Sequence, residues 1–294
     1  MYTVLGLVAI LFWSTSVAFS RSLAEALGPV TAAAAVFLTS GALGCAWLAV
    51  TRPGFRIVAA LPRRYLFGCG ALFVLYGVCL YMAIGFSAHR AQVLAVGIIN
   101  YLWPGLTLVL SIPLLGKKAK ATLLPGAAMA FAGVVLAMGQ GGLRSLLPGP
   151  GAPRASFAPY VLALGAALAW ALYSNLARRW GREGGAVPIF LLATGLVLGA
   201  MRLGVTEHSH WGPQPVLELA FLAVVPGLLA YAFWDAAMRK GEVILVASFS
   251  HLTPVLSTVV SWAYLGVRPG WELWAACALV IAGAVVCRYS VQER

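Results

Sequence analysis

The chain is built of long apolar runs separated by short polar connectors. Ten such runs recur, at about residues 3–23, 30–50, 65–87, 92–114, 121–139, 157–178, 187–203, 217–238, 243–265 and 271–289. A helix needs about 20 apolar residues to cross roughly 30 Å of hydrocarbon. Strands of a membrane barrel would alternate polar and apolar side chains over about ten residues, and these runs do not alternate. The pattern predicts an all-α polytopic membrane protein with ten transmembrane helices. Short connectors make successive helices antiparallel. One connector is longer: residues 139–156 are rich in Gly and Pro and fall at the midpoint, a linker composition. The expected organisation is a first five-helix repeat at 1–140, a linker at 141–156 and a second, inverted five-helix repeat at 157–294.

Composition narrows the class further. Hydrophobic residues make up 62% and charged residues 10% of 294, against about 45–50% and about 25% in a soluble domain. Soluble enzymes, DNA-binding domains and disordered tails are thereby excluded. The net charge of +12 reads as membrane topology and not as a nucleic-acid partner, because the basic residues sit between the apolar runs. With the N-terminus in the cytoplasm, the inner connectors hold 14 Lys and Arg, among them Arg63, Arg64, Lys117, Lys118, Arg178 and Arg179. The outer ones hold 6: Arg21, Arg90, Arg144, Arg154, Arg202 and Arg268. Both termini are therefore expected inside. The first run lacks a basic leader and a small-residue cleavage site, so it reads as a span and not a signal peptide. The five cysteines lie in apolar runs without CxxC spacing and read as small hydrophobes.

An internal repeat is visible at a shift of 150 residues. Tyr81 falls on Tyr231, Arg90 on Lys240, Val96 on Val246, Pro104 on Pro254, Gly116 on Gly266 and Gly133 on Gly283. At the start, a shift of 157 sets Trp13 on Trp170 and Arg21 on Arg178. Five spans is an odd number, so the halves are expected to be inverted in the membrane, a transporter architecture with its site between the repeats.

Polar side chains inside the runs mark the pathway, because polar atoms in hydrocarbon are expensive. Helical spacing sets Gln92, Val96, Asn100, Trp103 and Thr107 on one face, and Glu242, Val246, Ser250, Thr253 and Ser257 on the matching face. Such a stripe faces a cavity or serves as hydrogen-bonding glue between helices. Pro104 and Pro254 fall near the middle of their runs and are candidate hinges, a static kink being the alternative. The candidate substrate-binding set is Trp13, Ser16, Tyr76, Tyr81, Asn100, Tyr101, Trp103, Trp170, Tyr173, Tyr231, Trp234, Ser250 and His251. None of the eight acids is central in a run. No cofactor or metal is expected. Enzyme chemistry is not expected either: Ser250 and His251 are adjacent on one helix and point about 100° apart, which makes no dyad. Gly195…Gly199, Gly126…Ala130 and Gly133…Ala137 are close-packing patterns.

The ten spans, the inverted repeat and Gly6-Leu-Val-Ala-Ile-Leu-Phe-Trp-Ser-Thr to Arg21 resemble the drug/metabolite transporter superfamily, EamA branch. Glu25-Ala-Leu-Gly-Pro29, Val96-Gly-Ile-Ile-Asn-Tyr-Leu-Trp-Pro104 and Thr253-Pro-Val-Leu-Ser257 carry the resemblance further. It implies export of amino acids, aromatic ones favoured, across the bacterial inner membrane through a central cavity, by alternating access and by a monomer. Another amphipathic metabolite or drug is the alternative cargo. The partners implied are small-molecule amino acids and the lipid bilayer.

The charge bias makes a direct prediction. In a background without native cysteines, Gly54→Cys and Lys118→Cys are expected to react with a membrane-impermeant thiol reagent only from the cytoplasm. Labelling from outside would reverse the orientation.

Overall fold

The computed structural model describes residues 2–51, 54–138, 157–181, 185–240, 250, 252–266 and 268–292. The described residues are helical almost throughout. Seven helical segments are long and apolar enough to cross a membrane: Tyr2–Leu27, Pro29–Val50, Arg64–Gly85, Gln92–Leu115, Ala158–Trp180, Pro213–Met238 and Trp271–Ser290. The elements are α1 (Tyr2–Leu27), α2 (Pro29–Val50), a short α3 (Phe55–Ala59), a π-helical turn Arg64–Cys69 running into α4 (Gly70–Gly85), α5 (Arg90–Asn100), α6 (Trp103–Leu115) and α7 (Leu123–Met138). After the linker come α8 (Ala158–Trp180), α9 (Val187–Arg202), α10 (Pro213–Leu222), a π-helical stretch Ala223–Leu229, α11 (Ala230–Lys240), α12 (Thr253–Leu265) and α13 (Trp271–Ser290). The linker and residues 243–249, where the ninth predicted span begins, lie outside the described residues.

The most extensive helix contacts join the two halves: α2 with α9, α7 with α13 and α4 with α8. The contacts are also reciprocal. A Cβ on Gly41 would strike the backbone of Leu192, and a Cβ on Gly195 would strike that of Leu38; both pairs are related by the same shift of 154 residues. Likewise Gly133 lies against Ala276 and Val280, while Gly283 lies against Gly126 and Ala130. Glycine is what allows these backbones to touch, and close approach is the main source of helix affinity where lipid removes the hydrophobic driving force.

Two corrections to the sequence reading concern the prolines. Pro104 and Pro254 are not in mid-helix. Each occupies the first turn of a new helix, α6 and α12, after a break. There the missing N–H and fixed φ do least harm. Before α6, the chain tightens: the Leu102 N–H bonds to the Ile99 carbonyl, one residue short of the α-helical partner. Both helices are 13 residues long and end at a left-handed glycine, Gly116 and Gly266, each at φ 69°, a conformation glycine adopts without steric cost. Pro226 sits inside its π-helical stretch, and the Ser40 hydroxyl of α2, shared between the Val36 carbonyl at 2.7 Å and the Ala223 carbonyl at 2.9 Å, bridges to that stretch.

Loops at the ends supply further partners. Glu207 accepts from the Val30 and Thr31 amides at the start of α2, at 2.9 and 2.8 Å, a carboxylate cap delivered from the other half. At the opposite end, Lys118–Ala119 pairs antiparallel with Val291–Gln292, a two-stranded exception to the all-α expectation. His89 and Gln92 form a reciprocal cap on α5: the Gln92 amide donates to His89 Nδ1, and Gln92 Oε1 accepts from the Ala88 amide. Gln92 is thus a capping residue and not part of the pathway.

Because backbone meets backbone at Gly283, Gly283→Leu is expected to abolish the monodisperse species after detergent extraction. Gly165→Ala, where the added methyl meets only the Cys79 sulfur at 3.8 Å, is expected to leave it intact. Fluorescence-detected size exclusion reads both.

Candidate functional site

One cavity lies between the halves. Its walls are Trp13, Ser16 and Val17 of α1; Tyr76, Leu80 and Tyr81 of α4; and Asn100, Tyr101 and Trp103 at the α5–α6 break. Trp170 of α8, Pro226, Tyr231 of α11 and Thr253 at the start of α12 close it. Three pairs of wall residues occupy matched positions in the repeat: Tyr76 and Pro226, Tyr81 and Tyr231, Trp103 and Thr253. Trp13 and Trp170 make a fourth at the other shift.

The aromatic rings form a continuous network. Trp13 meets Trp170 edge-on at 5.5 Å, Tyr231 at 5.1 Å and Trp234 at 5.3 Å between centroids. Tyr76 lies 4.6 Å from Trp170. These separations suit offset and edge-to-face pairs, each worth about 0.5–1.5 kcal/mol beyond burial. The Trp13 indole N–H reaches across to the Pro226 carbonyl at 3.2 Å. Open space at the centre is about 30 Å³, room for one or two waters, whereas a cavity that admits benzene has about 150 Å³. The walls must part before any aromatic molecule enters.

Three described residues of the candidate set stand elsewhere. Tyr173 stacks on Trp170 at 4.9 Å, away from the cavity. Trp234 backs Trp13 and Trp103 from behind, 5.3 and 5.1 Å from their rings. Ser250 is buried, and its carbonyl accepts from the Thr253 hydroxyl at 2.7 Å. His251 lies outside the described residues. Thr107 turns its hydroxyl to the Trp103 carbonyl, and its own carbonyl accepts from Asn175. Of the described residues on the two expected polar faces, Asn100 and Trp103 of the first and Thr253 of the second meet the cavity. Val17, Leu80 and Pro226 were not foreseen. Two are plain aliphatics without a chemical signature; Pro226 was findable as the repeat mate of Tyr76.

Acids matter more than their off-centre positions implied. Glu218 is 4% exposed and its Oε1 accepts from Ser22, Gln214 and Tyr264 at 2.8, 2.9 and 2.6 Å. Asp235, also buried, accepts from the Tyr65 hydroxyl at 3.4 Å. At the same end as Glu218, Glu25 pairs with Arg21 at 2.8 Å and Arg90 at 2.6 Å. Arg21 also donates to the Ser87 carbonyl, and Arg90 to the Leu265 carbonyl. The hydrogen bond to Glu25 raises the Arg90 pKa further above its ordinary value. The ends of α1, α4, α5, α10 and α12 are therefore tied into one ring. At the Lys118 end the ties are arginines to carbonyls, Arg178 to Met238 and Arg179 to Leu114.

A bundle of apolar helices around a closed aromatic cavity, with ties at both ends, is the build of a membrane transporter for small molecules. The chain belongs to the EamA-like transporter family, whose profile matches residues 1–139 and again 158–289. It is 32% identical to the aromatic amino acid exporter YddG of Salmonella typhimurium over 294 residues, 99% of this chain and 98% of the relative. The Escherichia coli exporter of the same name is 31% identical over 287 residues, 97% and 96% of the two chains. A solved crystal structure, 28% identical, matches over 97% of this chain and 96% of its own with a TM-score of 0.70.

Exposed ion pairs contribute less than about 1 kcal/mol each, so the Glu25 pairs are a weak tie. Glu25→Gln is expected to speed the reaction of a cysteine at position 16 with an impermeant reagent added on the Glu25 side, about threefold or more. An unchanged rate would make the ring a static brace.

Proposed function

We propose that this protein exports amino acids, aromatic ones favoured, from the cytoplasm across the bacterial inner membrane. The observation that carries the reading is the uncharged, aromatic-walled cavity drawn from matched positions of both halves. The names of the full-length relatives support the cargo. The chain is read as ten spans in two inverted five-span repeats, 1–140 and 157–294, joined by 141–156. The reciprocal glycine contacts, the paired helices α6 and α12 with identical ends and the twofold family match support that reading. Both termini are assigned to the cytoplasm from the charge bias, which makes the Glu25 ring the outer end.

The mechanism is alternating access. Cargo enters from the Lys118 end, its ring packing on Trp13, Trp103 and Trp170 and its polar head meeting Ser16, Asn100 and Thr253. Two similar halves that exchange conformations turn an inward opening into an outward one. The breaks ahead of Pro104 and Pro254 are the hinges, because a helix bends where its hydrogen-bond ladder is interrupted. The outer ring then opens and releases the cargo. The monomer is the working unit.

The test is competitive uptake into proteoliposomes with mixed labelled substrates. Burying an aromatic side chain is worth about 1.5–3 kcal/mol. Trp103→Ala or Trp170→Ala is therefore expected to lower phenylalanine and tryptophan transport about tenfold, roughly 1.4 kcal/mol, with less effect on alanine or threonine. Equal loss for all four would indicate damaged packing; no loss would remove these walls from the pathway.

A further inference from the structure

Pro226 lies at the middle of the span Pro213–Met238, inside the π-helical stretch Ala223–Leu229. Proline has no amide to continue an α-helical ladder, and a π-bulge absorbs such a gap by moving the bonds one residue along. The Ala230 amide accordingly donates to the Val225 carbonyl and not to Pro226, its α-helical partner. The Pro226 carbonyl meets a side chain: it accepts from the Trp13 indole N–H at 3.2 Å, across the boundary between the halves. Tyr76, the repeat mate of Pro226, lies in unbroken α-helix, so the bulge has no counterpart at that place in the first half.

Trp13 and its repeat mate Trp170 are held differently. Trp170 is 1% exposed and enclosed by Phe73, Tyr76, Tyr173 and Tyr231, at 5.9, 4.6, 4.9 and 5.5 Å between centroids. Trp13 is only partly buried. Its ring rests on Trp170, Tyr231 and Trp234, at 5.5, 5.1 and 5.3 Å. With aromatic rings around it and its N–H on a backbone carbonyl, the Trp13 side chain makes the contacts that a bound indole would make. The open space beside it is about 30 Å³, too small for a second ring.

We infer that Trp13 is a resident stand-in for the cargo and that an indole-bearing cargo displaces it. The ring of the cargo takes the place on Trp170, Tyr231 and Trp234, its N–H takes over the Pro226 carbonyl, and Trp13 swings aside to cover the cargo's free face. The Pro226 carbonyl is then a subsite for an N–H donor. A cargo that brings the donor exchanges one hydrogen bond for another. A cargo of the same shape without it leaves a buried carbonyl bare, which is costly. This rests on the reading of the cavity as the transport site.

Isothermal titration of the purified protein tests it. The ligands are L-tryptophan and 3-benzothienyl-L-alanine, in which sulfur replaces the indole N–H at nearly the same shape. Tryptophan is expected to bind the unaltered protein at least about fivefold more tightly. Trp13→Phe keeps a ring but releases the carbonyl beforehand, so both ligands are expected to bind at least about threefold more tightly, with the preference kept. Pro226→Ala restores the missing amide and lets the ladder return to α-helical register. It is expected to bring the two ligands to within about twofold, a ratio that does not depend on the fraction of protein folded. The inference is overturned if the unaltered protein binds the two within twofold or binds neither, if Trp13→Phe leaves both affinities unchanged or weaker, or if Pro226→Ala keeps the preference. Flux in liposomes separates the two readings. Phenylalanine flux with no preference between the two ligands sinks only this inference; the preference without flux of phenylalanine or tryptophan sinks the proposed cargo.

Discussion

A carbonyl that loses its N–H partner inside hydrocarbon has no water to turn to. That constraint organises this protein. It permits only helices and closed barrels to span, and in a helical protein it decides where a helix is allowed to break. Pro104 and Pro254 each interrupt a span, and both interruptions lie on the central cavity. Pro226 interrupts a third, and there Ser40 from a neighbouring helix donates to a nearby carbonyl. The same rule explains the ends: the amides of α2 are closed by Glu207 and those of α5 by His89 and Gln92. Unsatisfied buried polar atoms remain near the centre, at Asn100 and Ser16, and also behind the cavity walls, at Tyr160, Tyr173, Ser174 and Trp234 among others.

Packing follows a second rule, that lipid is as good a solvent for leucine as another helix is. What remains to hold helices together is close approach, and glycine supplies it at Gly41, Gly133, Gly195 and Gly283. These contacts sit on α2, α7, α9 and α13, helices that supply no wall to the cavity. The outer scaffold is thus backbone against backbone, while the inner helices meet through aromatic side chains.

Much of this was legible in the residues. Trp13 with Trp170 and Tyr81 with Tyr231, matched across the repeat, converge on the cavity, whereas Ser250 and Tyr173, the mates of Asn100 and Ser16, do not. Periodicity fixes the face of a helix that a residue occupies, but not its distance from the axis of the bundle. Trp234 and Tyr173 accordingly read like wall residues although each stands behind one. Gln92 lay on the polar stripe yet serves as a cap, because hydropathy does not locate the helix start at Arg90, two residues earlier. Glu218 and Glu207 were set aside as off-centre acids. Their partners, Ser22, Tyr264 and the Thr31 amide, lie far away in the chain, so no local pattern announces them.

The reciprocal glycine contacts also bear on how the chain is made. Gly41 packs on Leu192, about 150 residues further along. At about 5–20 residues per second, roughly 8 to 30 s separate the synthesis of the two. During that interval α2 sits in the bilayer with its tightest face covered only by lipid, and α7 waits in the same way for α13. The first half therefore has no frame of its own while the ribosome is still at work. It remains open to capture by a wrong neighbour or a quality-control protease until the second half arrives to close it.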